Sequence, residues 1–193
     1  NDFWEWNQAT NIWVQKANVP GNGRFTATGL SIGAKGYIGT GVDTYNNYYD
    51  DWYEYDPASD TWTQKTSFPG GKRWAIYNSH FTINNYGYIG TGRNGNTYYN
   101  DFWKYDPISN AWTQIPNYPP GPYAGESGFS INNKGYIGLG GITPSMQDLW
   151  EYTDTTAVAE PKCGEVFVPN AFSPNDDREN DVWRIYYGDI RCI

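Results

Sequence analysis

The sequence predicts an all-β protein assembled from one repeated unit, an antiparallel sheet of four strands, and two recurring phrases predict it. The first is Asp101 to Gln114, DFWKYDPISNAWTQ, written again at Asp51 to Gln64 as DWYEYDPASDTWTQ and at Asp2 to Gln15 as DFWEWNQATNIWVQ. A fourth copy opens at Asp148 as DLWEY and is not completed. The closing tryptophans fall at positions 13, 62 and 112, a beat of 49 and 50 residues. The second phrase keeps the same beat: Gly36 to Gly41 (GYIGTG), Gly87 to Gly92 (GYIGTG) and Gly135 to Gly140 (GYIGLG). Self-similarity at about 50 residues marks a repeat architecture of the propeller kind. Composition agrees, since 10 Trp, 18 Tyr and 22 Gly in 193 residues favour strands and tight turns.

Within a repeat, four strand signals follow one another. In the third repeat the first is Tyr77 to Ile83, where Phe81 and Ile83 alternate with Thr82. The turn Asn84-Asn85-Tyr86 leads into the second, Gly87 to Gly92. The third is Asp101 to Tyr105, and Asp106-Pro107-Ile108-Ser109-Asn110 returns the chain into the fourth, Ala111 to Ile115. Asp-Pro suits that turn because proline presets φ and the aspartate can accept backbone N–H groups downstream. Gly90 and Gly92 are expected where backbones of neighbouring sheets approach too closely for a Cβ. Trp103, Tyr105 and Trp112 are expected to fill the space between sheets, each costing about 3–5 kcal/mol if truncated at a buried site. The first repeat supplies its third and fourth strands only, two repeats are complete, and the last has three strands.

The paired glycines, tyrosine-bearing strand and spaced tryptophan resemble the kelch repeat, over residues 2 to about 153. The glycine phrase is mostly G-x-G here, with Gly140-Gly141 the one adjacent pair. The resemblance implies a partial kelch-type β-propeller, in a family whose rings usually have six or seven blades, so the chain reads as a piece of a longer protein, with a ring closed in an unusual way as the alternative. The start in mid-repeat, NDFWEWN, reads as a processing boundary or a cut.

After Tyr152 the beat stops, and Thr153 to Glu160 reads as a linker. Phe167 to Asn175 (FVPNAFSPN) and the acidic segment after it resemble the opening of the gliding-motility-associated C-terminal domain. That family is the small β-sandwich-like sorting module of type IX secretion. Its usual two glycines are replaced here by Asp176 and Arg178. The expected organisation is residues 1–153 as propeller, 154–162 as linker and 163–193 as a truncated sorting domain. The implied location is secreted or at the outer cell surface.

Charge and residue inventory narrow the function classes. A net charge of −8 argues against a nucleic-acid partner, which needs clustered Lys and Arg. No apolar run is long enough for a transmembrane segment. His80 is the one histidine, aligned with Gly29 and Gly128 of sister repeats, and is expected to be structural or channel-lining. It leaves no Ser/His/Asp set and no pair of histidines such as the copper oxidase of galactose, which kelch proteins can resemble, would need. Asn175, Asp176, Asp177, Asn180 and Asp181 form a candidate calcium loop, because Ca²⁺ takes about six to eight oxygens. A solvated acidic turn is the alternative. Cys163 and Cys192 are read as a disulfide, which would imply an oxidising compartment, with two free thiols as the alternative.

Recognition is expected on the loops, which a rigid scaffold presents. Those between second and third strands differ among repeats: Val42 to Asp50, Arg93 to Asn100 and Ile142 to Gln147. The links Val19 to Arg24, Phe68 to Trp74 and Tyr118 to Tyr123 are expected on the same face. Arg24, Tyr45, Tyr48, Tyr49, Arg73, Trp74, Tyr98 and Tyr99 would give that face rings and cations suited to a glycan or protein. The alternative for Tyr48, Tyr49, Tyr98 and Tyr99 is packing between sheets at the start of the third strand. The expected function is adhesion or binding without catalysis. A different class is a carbohydrate-active hydrolase, lyase or isomerase with its site on other blades, for which Asp43 and Glu126 are the acids to nominate. A third is a cargo whose C-terminal segment makes the key contacts with the secretion translocon.

Overall fold

The computed structural model describes residues 1–74, 76, 78–140 and 147–154, and the backbone of two short C-terminal strands. Two compact units divide the chain, Asn1–Thr155 and Thr156–Ile193. In the second, β16 (Tyr186–Tyr187) pairs antiparallel with β17 (Ile190–Arg191). The expected sorting-domain opening at 167–175, the candidate calcium loop and both cysteines lie outside the described residues.

The first unit is a series of antiparallel sheets. β1 (Phe3–Asn7) and β2 (Ile12–Lys16) form a two-stranded sheet. β3 (Thr28–Ile32), β4 (Lys35–Gly39), β5 (Trp52–Asp56) and β6 (Thr61–Lys65) follow as a four-stranded meander. The next sheet uses β7 (His80–Ile83), β8 (Tyr86–Gly90), β11 (Phe102–Asp106) and β12 (Ala111–Ile115). Between β8 and β11 a small hairpin, β9 (Arg93–Asn94) and β10 (Thr97–Tyr98), stands out as a loop. β13 (Ser127–Ile131), β14 (Lys134–Gly138) and β15 (Leu149–Thr153) make the last, three-stranded sheet. All-β architecture and antiparallel four-stranded sheets agree with the sequence expectation. The expected first strand of the third repeat began at Tyr77; β7 begins at His80.

First strands of successive sheets lie side by side. Asn78 bridges Ser127 in parallel, the Thr82 hydroxyl donates to the Ser31 carbonyl (2.9 Å), and the Thr82 N–H donates to Ser130 Oγ (3.1 Å). The core fills the gaps between sheets, as layers that are apolar on both faces require. One cluster joins Ile32, Tyr37 and Trp52 to Phe68, Ile76, Ile89 and Tyr105. The next joins Phe81, Ile83, Tyr88 and Phe102 to Tyr118 and Ile137.

A reciprocal clamp repeats between sheets. Trp62 Nε1–H donates to the Ala17 carbonyl (2.8 Å), while the Ala17 N–H donates to Asp60 Oδ1 (3.0 Å). One repeat later Trp112 Nε1–H donates to the Thr66 carbonyl (3.0 Å), and the Thr66 N–H donates to Asn110 Oδ1 (3.0 Å). Trp62 and Trp112 thus hold equivalent places, each tying its sheet to the link that leaves the preceding one. Asp60 and Asn110 reach back because both adopt left-handed φ of 52°, which Asp and Asn tolerate better than most residues.

Gly90 acts differently from the expectation. A Cβ on Gly90 would strike the Phe102 ring and the Asp101 carbonyl of its own sheet, and one on Gly39 would strike Trp52 and the Asp51 carbonyl likewise. At Gly39 and Gly90 close approach is therefore between second and third strands, where a large ring crosses the backbone, whereas Gly128 meets the Asn78 and His80 carbonyls at the first strand of the neighbouring sheet. Gly41 and Gly92 are needed for conformation as well as space, with φ of 93° and 83°.

Candidate functional site

At one edge of the sheets the links and loops come together through backbone pairing. Phe25 bridges Val42, Trp74 bridges Arg93, and Tyr99 bridges Tyr123. The arginines ending two of the links turn back under this layer. Arg24 makes a two-pronged ion pair with Asp51, its Nη2 to Oδ2 at 2.8 Å, and donates to the Thr40 carbonyl (3.1 Å). Arg73 does the same one repeat later, donating to both Asp101 oxygens (2.6 and 3.1 Å) and to the Thr91 carbonyl (3.0 Å). Two-pronged guanidinium–carboxylate pairs are charge-assisted and fix geometry.

Rings cap both cations. Arg24 lies 4.0 Å from the Tyr49 ring centroid, and Arg73 lies 3.9 Å from that of Tyr99. Arg73 is fully buried. Both arginines therefore hold links to strands, with their charges neutralised. In the last sheet the matching position is Tyr123, and Asp148 instead accepts from Trp150 Nε1 (2.5 Å).

Asp43 organises the first loop. Its carboxylate accepts the N–H groups of Tyr45 and Asn47 (2.9 Å each), Asn47 Nδ2 (2.9 Å) and the Tyr49 hydroxyl (2.8 Å). These donors, the Asn47 side chain foremost, hold its pKa down to about 2 despite burial. A carboxylate so committed has no free lone pair aimed at a substrate. Glu126, the other acid nominated for chemistry, is buried and accepts from Ser79 Oγ (2.8 Å) and Thr91 Oγ1 (2.9 Å). It ties one sheet to the next across their first strands.

Of the eight loop residues read from the sequence, the structure places Tyr45 at the tip of the first loop, 84% exposed. Tyr49 and Tyr99 cover arginines and Tyr48 bridges Val42. Trp74 and Tyr98 instead flank a residue that the sequence reading passed over, Arg93. Its guanidinium carbon lies 4.3 Å from the Trp74 ring centroid and 5.6 Å from that of Tyr98, and its Nη1 donates to the Tyr98 hydroxyl (3.1 Å). Phe25, half exposed, meets Trp74 edge-on at 6.5 Å. Repeat comparison carries the signal for Arg93: the equivalent position in the preceding repeat is Val42, an apolar and buried residue.

Residues 92–117 match the Kelch motif. The match runs from the second glycine of one repeat through its hairpin loop and third and fourth strands, ending beyond Trp112. No curated protein matches the chain. Among the described residues no cluster of three or more His, Cys, Asp or Glu side chains could hold a metal ion. No helix among them is long and apolar enough to cross a membrane.

Proposed function

We propose that the chain belongs to a secreted or cell-surface binding protein that recognises a glycan or protein through its propeller loops, without catalysis. One contrast carries the reading. The strands, glycines and clamp tryptophans repeat almost residue for residue, whereas the loops along one edge differ from repeat to repeat and carry exposed or half-exposed rings. The Kelch motif supports it, since proteins built from that repeat are typically binding platforms. Asp43 and Glu126 support it too, since both are engaged in holding loops or sheets together. Export by type IX secretion, with the C-terminal segment addressing the translocon, rests on the FVPNAFSPN phrase and its likeness to the sorting family.

Screening the purified protein against glycan arrays and against envelope extracts tests the binding role. Retention of a defined glycan or envelope protein, weakened by substitutions at Trp74 or Tyr98, is the expected result. Turnover of any bound sugar would overturn it in favour of a carbohydrate-active enzyme. Fusing residues 154–193 to a passenger and asking whether a type IX strain exports it tests the second element.

A further inference from the structure

Three arginines stand at the loop edge, and their pairing separates them. Arg24 and Arg73 are each neutralised by an aspartate. Arg93 has no ion-pair partner among the described residues. It is half-buried and stacked on Trp74 with Tyr98 alongside. Two N–H groups in this stack, Arg93 Nε and Trp74 Nε1, are shielded from water and have no acceptor among the described residues. Nε of the paired Arg73 shares that condition, so these two donors mark a closely packed stack, and what calls for an anionic acceptor is the missing ion pair of Arg93. Stacking on two rings fixes the planar guanidinium, presenting its donor fork as a rigid, pre-ordered feature.

We propose that Arg93, Trp74 and Tyr98 form a subsite for one carboxylate of an acidic sugar, with the exposed Phe25 ring as the adjoining apolar surface. This rests on the recognition role proposed above and names its ligand class. Arg93 is the arginine of this edge without an ion pair among the described residues, exposed Lys72 lies on the adjoining link, and the chain carries a net charge of −8. That composition suits a uronate spaced by neutral sugars better than a dense polyanion, which the rest of the molecule would repel. An extended acidic peptide would need backbone partners, yet the backbones of Phe25, Val42, Trp74 and Arg93 are already bridged to one another. Rings, one stacked guanidinium and the neighbouring Lys72 are what this surface offers, and those match sugar C–H faces and a carboxylate.

The test is titration of the 193-residue protein with three probes: a hyaluronan hexasaccharide, the same oligosaccharide with its carboxylates reduced to alcohols, and a capped Asp-Gly-Glu peptide. The hexasaccharide is expected to bind with salt-sensitive affinity and to raise the melting temperature. Arg93→Gln is expected to weaken it at least tenfold, and Arg93→Lys by an intermediate factor, because charge remains while the fork is lost. The reduced oligosaccharide is expected to show no binding. Equal binding of the reduced probe, or undiminished binding by Arg93→Gln, would overturn the subsite while leaving a sugar-binding role standing. Preference for the peptide would overturn it in favour of a protein partner. Failure of the hexasaccharide to bind overturns the subsite, and it reaches the wider reading only if the glycan array and envelope extracts are also empty. Should Arg93→Gln not fold, Arg93→Lys and the reduced probe decide the matter alone.

Discussion

Arg73 and Asp43 show how one loop edge is held by charge, and they respond differently to perturbation. Arg73 is fully buried and anchors Asp101, the Thr91 carbonyl and the Tyr99 ring at once. Removing one partner of a buried pair strands the other, at a typical cost of about 3–5 kcal/mol. Arg73→Ala is therefore expected to lower stability by about 3 kcal/mol, read from urea midpoints. Arg73→Lys should recover only part of it, because a point charge cannot bridge both Asp101 oxygens. A loss below about 1 kcal/mol in Arg73→Ala would mean that the pair contributes no more than an exposed one. Asp43 gives a pH signature. Its folded pKa of about 2 lies below the unfolded value near 3.9, so its contribution is complete above about pH 4 and fades as pH falls toward 2. Asp43→Asn should be less stable than the parent at pH 7, with the gap closing in that acid window. A gap unchanged by pH would show that the charged form matters little to the loop.

At the scale of the element, the Asx-x-Trp clamp explains why the sequence phrase is so regular. Asn110 accepts the Thr66 N–H (3.0 Å) and the Tyr105 hydroxyl (2.9 Å) while sitting at φ of 52°. Asn110→Ala loses both bonds and puts at that φ a residue that tolerates the left-handed region less well than Asn. A cost of about 1–3 kcal/mol follows from the unmade hydrogen bonds, with backbone strain added. Asn110→Gly loses the same bonds without the strain, so it should be the milder of the two in thermal melts. The reverse order would show that turn conformation is unimportant here. Strand type, turn positions and the tryptophan beat were all legible because each depends on local chemistry or on repetition. What Asn110 and Asp60 do was not legible, since their partners lie 43 to 44 residues away on the link that leaves the preceding sheet. The sequence places Arg24 and Arg73 among the cations of the loop face for the same reason: Asp51 and Asp101, 27 and 28 residues distant, become their partners only after the sheets form. Arg93 escaped because its meaning comes from what it lacks, which a sequence does not display.

For the first unit as a whole, each sheet packs on its neighbours in the series, so stability should be graded along it, as in other repeat arrays. The β8–β11 sheet is flanked on both faces, and Tyr88, Ile89 and Tyr105 within it are fully buried. The β1–β2 hairpin is a two-stranded sheet whose Trp4, Trp6, Ile12 and Trp13 are all exposed by 45% or more. Two-stranded hairpins are marginal alone in water. This hairpin is held by Phe3 against Tyr55 and Trp62 (4.9 and 5.2 Å) and by the clamp on Ala17. Native-state hydrogen exchange on the 193-residue chain should therefore find β1–β2 amides opening first and those of β8 and β11 last. Trp62→Phe, which keeps a ring but deletes the donor to Ala17, should speed exchange in β1–β2 several-fold and leave β8 and β11 little changed. Uniform acceleration across all sheets would instead mean that the series unfolds as one cooperative block, and the clamps would then transmit stability over the whole array.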